Sequence, residues 1–138
     1  MAQIFGAENY RVMELEQVLY DLANSSPTAV LIEKEAPFRK LEIPVALIDA
    51  QNLRHVLAGT VALRPTTSEL LSSILERTNL NIIDARIVRI ENGIYFSELD
   101  VMTTQGRQTF DCRTSDALAL VQRQRVPAPI LCADSLLD

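Results

Sequence analysis

The chain is 138 residues long, 48% hydrophobic and 22% charged, with 18 acidic against 13 basic side chains and a net charge of −5. Such a length buries a core in one domain without disulfides or metals, and the composition excludes a disordered chain. The acidic balance, with no run of lysine or arginine, excludes capture of polyanions by bulk charge, so a nucleic-acid role needs a local basic site or metal ions.

Residues 1–9 show no usable periodicity and stay an uncertain N-terminal segment, so the single domain is taken as 10–138. Tyr10 to Tyr20 alternates Val12, Leu15, Val18 and Leu19 with Arg11, Glu14, Glu16 and Gln17, which predicts a strand before a loop over Asp21–Pro27. Ala29–Glu33 is a short apolar run suited to a buried strand, and Lys34–Pro37 turns it into Phe38–Val45 as a hairpin. Pro44 lacks an N–H, so this second strand belongs at an edge or ends there.

Leu47–Ala58 changes to helical period, with Ala50, Leu53, Val56 and Leu57 on one face and Gly59 placed to end it. Asp49 reads as a helix-start cap that also brings a carboxylate to the preceding strand's end, and His55, the only histidine, reads as solvated. Thr66 with Glu69 forms a capping-box signature ahead of Leu70, Leu71, Ile74 and Leu75, giving a helix to about Arg77. Arg64, in the loop before it, offers a fork to a carboxylate or an anion.

Asn79–Ile90 reads as a strand, Asn92-Gly93 as a tight hairpin turn and Ile94–Met102 as the returning strand. Thr104–Arg107 turns again into Gln108–Asp111, completing a three-stranded meander. Thr114 or Ser115 then caps a helix to about Gln124, with Asp116 in its first turn and Ala117, Leu118, Leu120 and Val121 on its apolar face. Val126–Pro129 leads to an extended Ile130–Cys132 and a last turn over Ala133–Leu137. The sum is an α+β (mixed α/β) fold: an antiparallel or mixed sheet with a hairpin and a three-stranded meander, packed against about three helices.

Cys112 and Cys132 lack CxxC spacing and read as free thiols in a reducing compartment. No apolar run approaches the ~18 residues of a membrane span and no leader pattern opens the chain, so a cytoplasmic location and no membrane partner are expected.

The densest cluster of reactive side chains is Phe110–Leu120, where Asp111, Arg113, Thr114, Ser115 and Asp116 crowd one strand-to-helix junction. Together with Leu41–Val45 leading to Asp49-Ala50, Arg64-Pro65 with Thr67, Leu70 and Leu71, and Gly93–Leu99, this stretch makes the chain resemble the bifunctional nuclease domain family of small bacterial and plant proteins. The resemblance runs from about Val12 to Asp138, and its most specific part is Arg113 with Ser115-Asp116-Ala117 and Ala119-Leu120. Where relatives read Arg-Pro-x-Thr-His-Asp-Leu-Leu, this chain carries Ser68 and Glu69, and Thr114 replaces a proline, which marks a divergent member.

The resemblance implies an α/β domain that assembles as a dimer or larger oligomer and, for some members, DNase and RNase activity. For metal-assisted phosphodiester hydrolysis, Asp49, Glu69, Asp111 and Asp116 are the carboxylates available to a hard cation such as Mg²⁺ or Mn²⁺. Arg113 with Arg64 supplies forks for the substrate phosphate, and Ser115 completes the candidate site. The alternative is a non-catalytic oligomeric binding or regulatory domain on the same scaffold. A third reading, covalent catalysis through Ser115 or Cys112, has only His55 to serve as base.

Overall fold

The computed structural model describes residues 3–5, 8–20, 26–60 and 63–137. Its strands are β1 (Gln3–Phe5), β2 (Glu8–Leu19), β3 (Thr28–Glu33), β4 (Lys40–Pro44), β5 (Asn81–Glu91), β6 (Ile94–Thr103), β7 (Gly106–Arg113) and β8 (Ile130–Ala133). The helices are α1 (Leu47–Ala58), α2 (Thr67–Arg77) and α3 (Thr114–Arg123), and a single 3-10 turn follows β8 over Asp134–Leu136. One sheet runs in the order β4-β3-β2-β8-β5-β6-β7, with β1 paired onto β2. Every pairing is antiparallel except β5 with β8, so the α+β class and the mixed sheet are as expected.

The β3–β4 hairpin forms as predicted, and Pro44 closes β4 at the sheet's edge, where its missing N–H costs no ladder bond. Asn92 and Gly93 take φ of 50° and 78°, the left-handed values a tight two-residue turn needs, and β6 returns along β5. Two differences from the sequence reading stand out: a short strand, β1, lies where no element was assigned, and β7 extends to Gly106–Arg113, beyond the Gln108–Asp111 anticipated. The loop expected over 21–27 falls largely on residues 21–25, which lie outside the described residues.

The helices cover one face of the sheet. Ala50 and Leu53 of α1 are fully buried, and α3 buries Thr114 and the continuous run Ala117–Val121 against Leu99, Val101, Ile87 and Ile130. α2 buries none of its residues, and Leu70, Leu71 and Ile74 remain exposed. The capping box on α2 is present: the Glu69 N–H donates to Thr66 Oγ1 at 3.3 Å, and the Thr66 N–H donates to Glu69 Oε1 at 3.3 Å. Gly59 ends α1 with φ of 69°, as its position suggested.

Two expected caps are not made. Arg113 holds the N-cap position of α3, and Thr114 lies within the first turn, its hydroxyl 2.7 Å from Ser97 Oγ and 3.2 Å from the Tyr95 carbonyl oxygen, to which it donates. The hydroxyl therefore ties helix to sheet, because Thr114 is buried against β6 and its side chain is turned away from the orphan N–H groups. At α1 the cap is Ala46, which has no side-chain acceptor, and Asp49 lies within the first turn.

Two buried ionic clusters hold the sheet's layers in register. Glu33, 1% exposed, accepts from Arg39 Nε at 2.7 Å, the Arg39 N–H at 2.8 Å and Arg11 Nε at 2.6 Å, while Arg39 also reaches Asp134 at 2.7 Å. The Arg39 hydrogen bonds lead in holding the Glu33 carboxyl down at about 2. Across β5 and β6, Asp84 and Asp100 are directly opposed and buried, with Arg86 and Arg107 donating to Asp100 at 2.8 and 3.0 Å and Thr109 at 2.6 Å. Burial, reinforced by Asp100, pushes Asp84 up to about 7. Burial also acts on Asp100, but the bonds from Arg86, Asp84, Thr109 and Arg107 outweigh it and keep that carboxyl below its usual range.

Glu33→Ala removes the shared partner of Arg11 and Arg39, which keep the Ala36 carbonyl oxygen and Asp134 respectively, and should cost about 1–3 kcal/mol in urea unfolding; Glu33→Gln should lose less. In wild type the Glu33 contribution is present above the ordinary glutamate pKa and fades as pH falls toward 2. Asp84 acts oppositely, because a raised carboxyl makes the folded state bind more protons than the unfolded chain. Its contribution should therefore be full near pH 4 and decline as pH rises toward 7, and Asp84→Asn should flatten that stretch of the stability–pH curve.

Candidate functional site

The site is built where β7 hands over to α3. Arg113 is the last residue of β7 and the cap of α3, which sends its side chain out over the helix start toward α1. There its guanidinium lies between two carboxylates. Nε and Nη2 donate to the two oxygens of Asp116 at 2.9 and 3.1 Å, and Nη1 and Nη2 donate to those of Asp49 at 3.0 and 3.3 Å. Asp116 sits on the first turn of α3 and Asp49 on the first turn of α1, where carboxylates meet positive helix ends. Asp116 first, and Asp49 second, raise the Arg113 pKa further above its ordinary value.

This bridge separates two grooves. A groove of about 650 Å³ among the three helices is lined by Asp49, Asn52 and His55 of α1, Thr66, Ser68 and Glu69 at the start of α2, and Arg113, Asp116 and Arg123. Its floor is polar and linked: Asn52 Nδ2 donates to Ser68 Oγ at 3.2 Å, Arg123 Nη2 donates to Asn52 Oδ1 at 3.4 Å, and Arg123 lies 4.0 Å from Glu69. Arg123 Nε is buried and has no hydrogen-bond partner. The other groove, about 800 Å³, is bounded by Ile43–Ala46, Gly93–Phe96 and Asp111–Ser115, with Asp49 and Arg113 again on its wall.

The predicted residues are thus partly assembled. Asp49, Glu69, Arg113 and Asp116 share the helical groove; Ser115 and Asp111 line the second one; Arg64 is exposed and lines neither. Glu69 is committed to its capping box, accepting also from Thr66 Oγ1 at 3.0 Å. The four carboxylates do not gather on a point. Both oxygens of Asp49 and of Asp116 face the Arg113 guanidinium, and among the described residues no group of three His, Cys, Asp or Glu is placed to hold a metal. The arrangement therefore does not fit a resident divalent cation, because a guanidinium fills the place where one would sit.

Three groove residues carry no candidate role in the sequence reading: Arg123 and Asn52 are not singled out there, and His55 is read as solvated. His55 is indeed exposed, yet it lines the groove, its Nδ1 2.8 Å from Thr60 Oγ1. The signal available was helical spacing: Asp49, Asn52 and His55 recur every third residue along one strip of α1. Cysteine chemistry has no support, since burial, with Asp116 and Asp111 nearby, pushes the Cys112 thiol up to about 11 and burial pushes Cys132 up to about 12.

A family model described as the bifunctional nuclease domain matches residues 29–138. No curated protein matches the chain. The matched span omits β1 and β2 but includes every residue of both grooves. No helix is long and apolar enough to cross a membrane, among the described residues.

The Arg113 bridge stands in water, with the arginine side chain 64% exposed. Exposed pairs contribute little, so Arg113→Ala and Asp116→Ala should each shift unfolding free energy by no more than about 1 kcal/mol, with the far-UV circular dichroism spectrum unchanged. A larger loss would mean that the bridge is a folding element and not a site.

Proposed function

The chain belongs to the bifunctional nuclease domain family, and we propose that it binds the phosphodiester backbone of DNA or RNA in the helical groove and hydrolyses it there. The observation that carries this reading is the assembly of Arg113 and Arg123 with Asp49, Asp116, Glu69 and His55 around one groove at the start of α2. Two guanidiniums and a helix N-terminus supply a local anion site on a chain whose overall charge is unfavourable for one.

In this reading a phosphate oxygen replaces one carboxylate on Arg113, which trades one charge-assisted bond for another and leaves the remaining carboxylate to hold the fork in place. Arg123, whose guanidinium lies in the groove floor beside Asn52 and Glu69, adds positive charge beneath the phosphate. The released aspartate or the His55 imidazole takes the proton from an attacking water, whose oxygen bonds to phosphorus as the ester bond to the departing sugar oxygen breaks and that oxygen picks up a proton from solvent, leaving one phosphate end and one hydroxyl end. Ser115, Asp111 and Arg64 lie outside this groove; Ser115 and Asp111 are proposed to line the path of the flanking strand in the second groove. A Mg²⁺ or Mn²⁺ ion remains a proposal as a partner that arrives with the nucleic acid, and no step is assigned to it.

One observation favours a second reading, a non-catalytic nucleic-acid-binding or regulatory domain: four of the five N–H donors of Arg113 already serve two carboxylates. The experiment separates the two. Purified protein is incubated with single-stranded RNA and with plasmid DNA, with Mg²⁺ or Mn²⁺ and then with EDTA, beside folded Arg113→Ala, Arg123→Ala and Asp116→Ala variants. The proposal expects cleavage that falls at least about tenfold in each variant. Cleavage that persists in all three would discard this groove, and binding without cleavage in wild type would establish the second reading.

A further inference from the structure

We propose that the cavity between the C-terminal half of α2, the start of β5 and the end of α3 binds a small organic carboxylate, its oxygens held by Arg123 Nε and Ser72 Oγ. The cavity has a volume of about 400 Å³, inside the range of roughly 300–1,000 Å³ typical of small-molecule sites, and it shares only Arg123 with the helical groove.

Two polar side chains on its wall lack partners. The Arg123 side chain is only 11% exposed, and its Nε is buried with no hydrogen-bond partner. Ser72 Oγ is buried and has none either, so it does not make the bond to a carbonyl one turn back that a helical serine can fall back on. Buried atoms in this state are uncommon, because each forgoes the hydrogen bond that water supplies in the unfolded chain. Among the described residues only three side-chain atoms are so placed, and two of them belong to residues lining this one cavity.

The neighbouring groups do not meet the demand. A guanidinium only donates, so Arg123 needs an acceptor. Gln124, beside it, uses its amide on the backbone: Oε1 accepts from the Ile82 N–H at 2.7 Å, and Nε2 donates to the Ile82 and Val126 carbonyl oxygens at 3.1 and 3.0 Å. Those three bonds tie β5 to the end of α3 and fix the cavity before anything enters it, which favours binding by preorganisation. The charge on the lining then selects the acceptor. Arg123 and Arg125 stand against Glu76, a surplus of one positive charge, which suits a singly charged carboxylate better than a phosphate monoester of nearly twice that charge. Leu75, Leu80, Ile82, Leu120 and Val126 make the rest of the wall apolar, so the carboxylate is expected to carry a hydrocarbon body.

The inference does not rest on the hydrolytic reading, and its test contains no nucleic acid. Sodium hexanoate, hexyl phosphate, hexylamine and hexanol are titrated into isotope-labelled wild type and into Ser72→Val, a near-isosteric change whose circular dichroism should match wild type. Hexanoate should shift the backbone amide resonances of Ser72, Leu80, Ile82 and Gln124 and the Arg123 Nε–H resonance to saturation. Hexyl phosphate should bind more weakly, hexanol about tenfold more weakly, and hexylamine not at all. Ser72→Val should weaken hexanoate about tenfold and leave hexanol unchanged. The comparison of probes on wild type decides the matter even where the variant does not fold. Hexanoate that causes no saturable shift, hexanol or hexyl phosphate binding as tightly as hexanoate, or equal hexanoate affinity in wild type and folded Ser72→Val would each overturn the proposal, the cavity then being one for water or hydrocarbon alone.

Discussion

The structure depends on the insertion of β8. The strands β4, β3 and β2 form one antiparallel set and β5, β6 and β7 another, and among the described residues the two sets are hydrogen-bonded into one sheet through the four residues Ile130–Ala133 between β2 and β5. All four are buried, with Leu131, Cys132 and Ala133 wholly so. Antiparallel pairing to β2 and parallel pairing to β5 give β8 neighbours on both edges, so its backbone polar groups are satisfied in a place water does not reach. Once this strand is in place, the helices share a single apolar floor, and α1 comes close enough to α3 for Asp49 to meet Arg113 across 64 residues of sequence.

That dependence explains what could be read from the residues and what could not. Local signals were legible: the Asn92-Gly93 turn, the Thr66–Glu69 box, the αL glycine at Gly59 and the proline at the end of β4 all took the roles their chemistry dictates. The sheet order was not, because β8 pairs with strands about 45 and 120 positions earlier and its four residues carry no register signal of their own. Thr114 was misread for a related reason. A hydroxyl at a helix start favours capping when nothing else competes, but here Ser97 and the Tyr95 carbonyl offer buried partners that local sequence cannot announce.

The candidate site shows the same division. Arg113 and Asp116 are three residues apart and face each other by helix geometry, so their association follows from spacing. The involvement of Asp49 is tertiary, as is that of Arg123, whose unpaired Nε is visible only when the groove floor is known. The buried ionic clusters were also hidden, although Glu33 ended an otherwise apolar run and Asp84 interrupted another. An acid inside a strand that should be buried signals a partner elsewhere in the chain. The site bridge and the buried clusters use the same residue types to different ends, since desolvation makes Glu33 and Asp100 structural while exposure leaves Arg113 free to exchange partners.

α2 buries none of its residues, although it carries Thr66, Ser68 and Glu69 to the groove. A helix held by its cap and by half-covered leucines has little to lose by detaching, so its backbone amides belong to the fastest-exchanging class of any helix in the fold. Opening of this one helix leaves the sheet, α1 and α3 intact while dissolving one wall of the groove. The wall of the groove that α2 supplies is thus the part of the site least tied to the cooperativity of the core.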